Sequence, residues 1–496
     1  MRQALLATLA LAAHATAAHA FCGFYVSGSG DKMFNDATQV VLVRDGTRTV
    51  LSMQNDFHGP LEDFAMVVPV PVVLHEPDVK TLPKSVFEHV EALGSPRLVE
   101  YWEQDPCYRP PPEPPPMASR AEGGGGIAYE ARKKDDTVKI EAKFDVAEYK
   151  ILILSAKDSS GLETWLRQNH YQIPPGAEPL LRPYVEQGMK FFVAKVDPKK
   201  VAMVDGHAAL SPLRFHYDSE EFSLPVRLGM ANSAGTQDLI VNILSKSSRY
   251  EVSNYPNVFV PTNFDVKSSV KTRFGEFYAA LFDRTVETHP GAVVTEYAWT
   301  ASRGYHCDPC PDLDVSTQDI MTLGGDLVGG LDNDFVLTRL HARYGKGELK
   351  DDLRFRIAPP VTGGREEYSS PNKLEYGAVK SAQNFFQARF AIRHPWTGPI
   401  ACQNPQRGIW GGPPNGNNQV IAASKLAFVP RGKIALGDVV ERDLPEIKVS
   451  RGRTPAPVSP QSHFAQPPPA KPLSFGIGGL IALALIGVGS LVARRR

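Results

Sequence analysis

A charge imbalance, the common catalytic signatures and any long apolar run within the body are all missing from this 496-residue chain. Lys plus Arg and Asp plus Glu number 54 each, and no basic block stands outside the last three residues. Electrostatic capture of nucleic acid needs such a block, so nucleic acid is not an expected partner. There is no Gly-x-Ser-x-Gly elbow and no His-Glu-x-x-His, which removes two hydrolase signatures. Gly345-x-Gly347 lacks the third glycine of a dinucleotide fingerprint and reads as a hairpin turn. No catalytic residue emerges, and a non-enzymatic role is the leading expectation.

Cysteine is scarce. The five are Cys22, Cys107, Cys307, Cys310 and Cys402. In an oxidising compartment they pair where geometry allows, and an odd count leaves one over. Cys307-Asp308-Pro309-Cys310 has the spacing of a redox dithiol, and thiol–disulfide exchange in the envelope is the alternative function. However, Asp308, Asp312 and Asp314 raise the pKa of a neighbouring thiol and oppose a reactive thiolate. A metal site recruiting His306 lacks a second pair of ligands at zinc spacing. A structural disulfide between Cys307 and Cys310 is therefore expected. Cys22, Cys107 and Cys402 then allow three choices of a second bridge, among which the sequence does not select. The acidic stretches Asp308 to Asp319 and Asp326 to Asp334 are oxygen-rich, but without the glycine and distal glutamate of an EF-hand they read as solvated loops. Calcium is the only cofactor kept in view.

The two ends carry the apolar runs. Met1-Arg2, the stretch Ala4 to Ala13 and Ala18-His19-Ala20 form a secretory signal peptide over 1–20. Phe21 separates the cleavage site from Cys22, which argues against a lipoprotein. Leu473 to Ala493 is uncharged and, as a helix, spans about 31 Å, enough to cross a bilayer. Arg494 to Arg496 follow as a basic cytoplasmic end, which places the body outside by the positive-inside rule. Residues 446–472 read as a stalk, with seven prolines between Pro455 and Pro472. The expectation is an exported, single-pass protein with its body in the periplasm or on the cell surface. The C-terminal helix would meet the membrane, and the body an envelope or extracellular partner.

The body, 21–445, reads as α+β and β-rich: mainly antiparallel sheets with a few packed helices, plus the C-terminal transmembrane helix. It is either one large unit or two subdomains dividing near residue 270. Gln39 to Gln54 is a hairpin around a type I′ turn at Asp45-Gly46. Pro69 and Pro71 place the Ala65 to Leu74 strand at a sheet edge or exposed groove. Val86, Phe87, Val90 and Leu93 form one helix face, ended by Gly94. Pro110 to Gly126 is expected to be disordered. Two strands share Val138 to Ala156, Ser160-x-x-Glu163 caps a helix, and Leu180 to Gln187 and Lys190 to Val196 give a helix and a strand. Ser223 to Leu228 and Asp238 to Ser245 read as paired strands. Phe274, Phe277, Tyr278, Leu281 and Phe282 have helical spacing. Ala292 to Trp299 is a strand. Phe335 to Tyr344 and Asn384 to Ile392 alternate as antiparallel strands with one wet face, on which Gln387, Arg389 and Arg393 would lie. Trp396, directly after a strand, is a core or sheet-end residue.

Phe21-Cys22-Gly23-Phe24-Tyr25, Gln39 to Asp45, Ala65 to Pro71, the Cys307–Cys310 motif, Leu337 to Tyr344 and His394-Pro395-Trp396-Thr397-Gly398-Pro399 together resemble an exported bacterial family. It is the domain of unknown function 2330. The resemblance implies export and a body from Phe21 to about Leu444. It brings no catalytic residue.

Overall fold

The structure, a computed structural model, describes residues 24–26, 34–58, 65–107 and 138–452. Short breaks fall at 170, 172, 174–175, 205–206, 233–235, 302–314, 330–334, 346–348, 368–372, 376, 415–419 and 424–428. The expected signal peptide, the 110–126 excursion, the stalk beyond residue 452 and the Leu473 to Ala493 helix lie outside the described residues, whereas the first residues assigned to the stalk belong to the body, with Ile447 and Val449 buried in its core. Among those described, no helix is long and apolar enough to cross a membrane.

An eleven-stranded sheet forms the centre. Its hairpin, Phe34–Asp45 and Arg48–His58, pairs Asp45 with Arg48 across a two-residue loop. Positive φ falls on Gly46, the first central residue, and not on Thr47. That is the pattern of a type II′ turn rather than the expected I′. Gln237–Lys246 runs parallel beside the first hairpin strand and antiparallel to Phe335–Tyr344, which in turn pairs with Val293–Thr300. Strands from before residue 270 form one half of this sheet and strands from after it the other, joined where Gln237–Lys246 pairs with Phe335–Tyr344, while Asn257–Phe259 crosses over to pair with Val293–Thr300.

Alternation along these strands sorts two apolar faces. Val40, Leu42, Val241, Ile243 and Leu340 point to a second, five-stranded sheet and meet Met66, Val68, Ile151, Ile153 and Phe192. Helix α1 (Ser85–Gly94) covers the opposite face, setting Val86, Phe87, Val90 and Leu93 against Val41, Val43, Leu244 and Leu337. The outer side of the five-stranded sheet carries α2 (Ser159–Gln168) and α3 (Glu178–Glu186). Asp158 caps α2 by accepting the Gly161 amide, so the helix starts ahead of the expected cap at Ser160. Among the described residues of that sheet, Ala65–Val70 has only Lys190–Val196 as neighbour beyond Val67, which puts Pro69 on an edge there.

Helix α4 (Phe274–Thr288) packs Phe274, Phe277, Tyr278 and Leu281 against a third sheet, in which Arg389–His394 lies parallel to Arg97–Glu103. Helix α5 (Thr317–Leu323) lies beside α1, its Ile320 and Leu323 in the same core. The architecture is α+β and β-rich, and its sheets are mixed, with most of the described strand pairs antiparallel and five parallel.

Three expectations fail for a common reason. Ser223–Leu224 pairs with Leu353–Ala358 and not with Gln237–Lys246, and residues 227–232 form a 3-10 turn. Phe335–Tyr344 and Leu353–Ala358 do not pair, so Gly345 closes no hairpin between them. The wet face is dry: Arg339, His341, Gln387 and Arg389 are fully buried. Alternation reports which residues share a face, but the partner covering that face arrives from distant sequence.

Candidate functional site

The dry face of Phe335–Tyr344 holds a cluster of ionised side chains centred on Glu296. Pairing between Val293–Thr300 and Phe335–Tyr344 slips between Thr295 and Tyr297, and this bulge takes Glu296 out of the ladder. Its carboxylate accepts the Tyr278 hydroxyl from α4 at 2.6 Å, Arg339 Nε at 2.7 Å and His341 Nδ1 at 2.7 Å. Arg339 extends the cluster to α1, where Nη1 and Nη2 reach the Glu91 carboxylate at 2.5 and 3.1 Å. Gln39 and Ser95 donate to the same carboxylate.

His341 stands between two acids. Nε2 lies 3.2 Å from Asp238 Oδ1, within ion-pair range although off the line of a good hydrogen bond. Arg343 grips Asp238 side-on through Nε and Nη2 at 2.8 and 2.9 Å, and its Nη1 reaches Asp283 on α4. Arg431 closes the ring by donating to both Asp238 and Asp283. Phe282 stacks on the His341 ring at 3.6 Å between centroids, with the Arg343 guanidinium 4.9 Å from its own centroid. Four carboxylates face three guanidiniums and an imidazolium, so the charge balances.

Burial alone would raise the Glu296 pKa, but His341 and Arg339 hold it down at about 2. Burial lowers the His341 pKa, and the two acids more than reverse that, leaving it raised. Burial and Glu296 together push Tyr278 well up, so it stays a donor. Glu296, Arg339, His341 and Tyr278 are fully buried, and beyond one another their polar atoms meet only Glu91 and Asp238 of the same cluster. General acid–base chemistry requires a group within hydrogen-bond reach of a substrate proton. This arrangement offers none, and acts instead as an electrostatic tie that fastens α1 and α4 to the sheet.

The tie sets a pH window. Glu296 is lowered, so its contribution is complete above the usual carboxylate range, near pH 4, and is lost as pH falls toward about 2. His341 is raised, so its contribution is complete below roughly pH 6.5 and is lost as pH rises through its elevated value. Urea midpoints should therefore be highest at roughly pH 5–6 and fall on the alkaline side. His341→Gln should flatten that alkaline limb. A native midpoint constant from pH 5 to 9 would contradict the assignment.

A second cluster lies on the third sheet. Arg389 neighbours Arg97 and Arg393 neighbours Tyr101 across the parallel pair. Arg389 donates through Nη1 to Asn263 Oδ1 at 3.0 Å, and its guanidinium lies 5.3 Å from the Tyr101 centroid. Nε and Nη2 are buried and have no hydrogen-bond partner. Burial first, then Arg393 and Arg97, push its pKa down to about 9. Asn263, at φ +57°, is fixed by donating to the carbonyls of Arg365 and Glu375. Gly364 seals the same corner: a Cβ there would stand 1.8 Å from the Gln387 carbonyl oxygen.

Beyond the ends of the same two strands, Cys107 and Cys402 form a disulfide, with Cα atoms 5.6 Å apart. Of the three pairings left open by sequence, the structure takes this one. Beside it, Glu103 accepts the amides of Trp396 and Gly408 and pairs with Arg407, which leaves Trp396 half-buried just past the strand end. Cys22, Cys307 and Cys310 lie outside the described residues. Asp319 caps α5 and meets His89, while Asp326 is held by Arg214 and Lys80. No cluster of metal-ligating side chains occurs among the described residues. The sequence singled out none of the Glu296 cluster as a site, although an acid inside the apolar run Val293–Trp299 was a usable signal.

The family model described as an uncharacterized protein conserved in bacteria, DUF2330, matches residues 16–356. The chain belongs to this family. Within the DUF2330 match lie Glu91, Asp238, Tyr278, Asp283, Glu296, Arg339, His341 and Arg343. Arg389, Arg393, Cys402 and Arg431 fall beyond it, although their segments complete the same body. No curated protein and no solved structure matches the chain.

Proposed function

We propose that this DUF2330 protein is exported, anchored by a single C-terminal helix, and does binding or structural work in the bacterial envelope. The observation that carries the reading is the Cys107–Cys402 disulfide, which joins residues 295 apart in sequence. Such a bond is formed and kept in oxidising compartments and is rare in the cytosol. The signal-peptide pattern over 1–20 and the uncharged run Leu473 to Ala493 with its basic end support the same placement. The closed Glu296 cluster supports a scaffold whose interior is spent on rigidity.

Fractionation tests this directly. The full chain, tagged after Arg496, should sediment with membranes and migrate faster on a non-reducing gel than on a reducing one. Protease added to spheroplasts should digest the body and leave the tag protected. An intact, fully reduced chain in the cytosol would end the proposal.

A further inference from the structure

Arg389 is a fully buried cation that pairs across the strands with Arg97 and shares its strand with Arg393, both also cations. Arg393 has its own acid, Asp265, at 3.0 Å. Arg389 engages only a neutral amide oxygen, that of Asn263. Leaving a buried charge without a counter-charge costs a fold several kcal/mol, and native proteins carry few such groups unless something else completes them.

The two unpartnered nitrogens, Nε and Nη2, are adjacent on one edge of the guanidinium. That edge presents two parallel N–H groups, the geometry that takes a carboxylate or phosphate bidentately. This protein uses the same edge elsewhere: Arg343 grips Asp238 with it, and Arg48 grips Asp218 through Nε and Nη2, both at 2.9 Å. At Arg389 the edge is built, and no described residue supplies its anion. The surroundings are preorganised. Asn263 fixes one end of the guanidinium, Tyr101 lies against its face, and Trp410 packs over Val99, Tyr101 and Ala391.

We propose that Arg389 is the receptor for a small oxyanion, a carboxylate or a phosphate, held side-on by Nε and Nη2 beside Tyr101. The anion supplies the counter-charge that Arg389 lacks among the described residues, and in a dry site the pairing is far stronger than in water. The inference is independent of where the cell places the chain. The ligand could be a free ion or the acidic group of a larger molecule, and the shared chemistry is the oxyanion.

The test is titration of the purified full chain in detergent with inorganic phosphate and, separately, with acetate, at constant ionic strength. At least one should bind saturably by calorimetry and raise the melting temperature by a few degrees. Arg389→Lys keeps a charge but loses the fork, and should weaken that binding at least about ten-fold. Arg389→Gln removes an uncompensated charge, so its melting temperature without anion should equal or exceed the native value, and it should not respond to the anion. Absence of saturable binding of either anion to the native chain would overturn the proposal. Binding unchanged in Arg389→Lys would overturn it too.

Discussion

Glu296→Gln should lower the stability of the folded body by about 3–5 kcal/mol, read as a shift of the urea midpoint at pH 6. The neutral amide is nearly isosteric, so packing changes little and electrostatics dominates. Arg339 loses its fully buried acid, and His341 loses the one that most raises its pKa among its partners. Breaking one side of a dry ion pair strands the other charge, which is why the loss far exceeds that of a surface pair. Glu91→Gln should cost less, since Glu91 is partly exposed and water can take over for it. The double change Glu296→Gln with Arg339→Met should recover part of the loss, because it removes the stranded cation as well. A midpoint shift below about 1 kcal/mol for Glu296→Gln would refute the view that this cluster ties the helices to the sheet.

Replacing Cys107 and Cys402 together by serine should be about as costly. The bond closes a loop spanning 295 residues of separation, and the loop-entropy account puts such a tether at roughly 6 kcal/mol, just above the range usually observed. The same bond anchors the end of the Arg97–Glu103 strand and the loop bearing Trp396 and Gly408, so its removal should free them first. The expected result is a lower urea midpoint for the double-serine chain, reproduced in the native chain by adding a thiol reductant. Equal midpoints for oxidised, reduced and double-serine chains would show that the tether does not stabilise the body.

What could be read from sequence was what depends on neighbours in the chain. The buried face of α1, Val86, Phe87, Val90 and Leu93, follows from 3.6-residue spacing and a following glycine, and it appears unchanged. The strands Lys190–Val196 and Phe335–Tyr344 match residue for residue. What could not be read depends on distant partners. Arg339 lies on the face opposite Val336, Leu340 and Ala342, and it is buried with Glu91, 248 residues away, as its partner. His341 became an interior residue through Glu296, 45 residues upstream. Arg389 was assigned to water for the same reason, and there the structure shows burial without a carboxylate to explain it. Pairing failed in the same way, since Ser223–Leu224 finds its partner near residue 353. Periodicity fixes a side chain's face, and only the assembled chain decides whether that face is wet.

The joining of strands from either side of residue 270 into one continuous sheet has a consequence for the order of synthesis and export. A chain emerging N-terminus first can close its hairpin at once, and it can add Gln237–Lys246 beside it as soon as that segment appears. The far edge of that strand then stays bare until residues 335–344 arrive, and Val293–Thr300 waits for the same strand. An open edge of this kind is a template for pairing with other chains. The body is therefore indivisible in time as well as in space: no intermediate length buries the sheet, and the last strands delivered are those that close it.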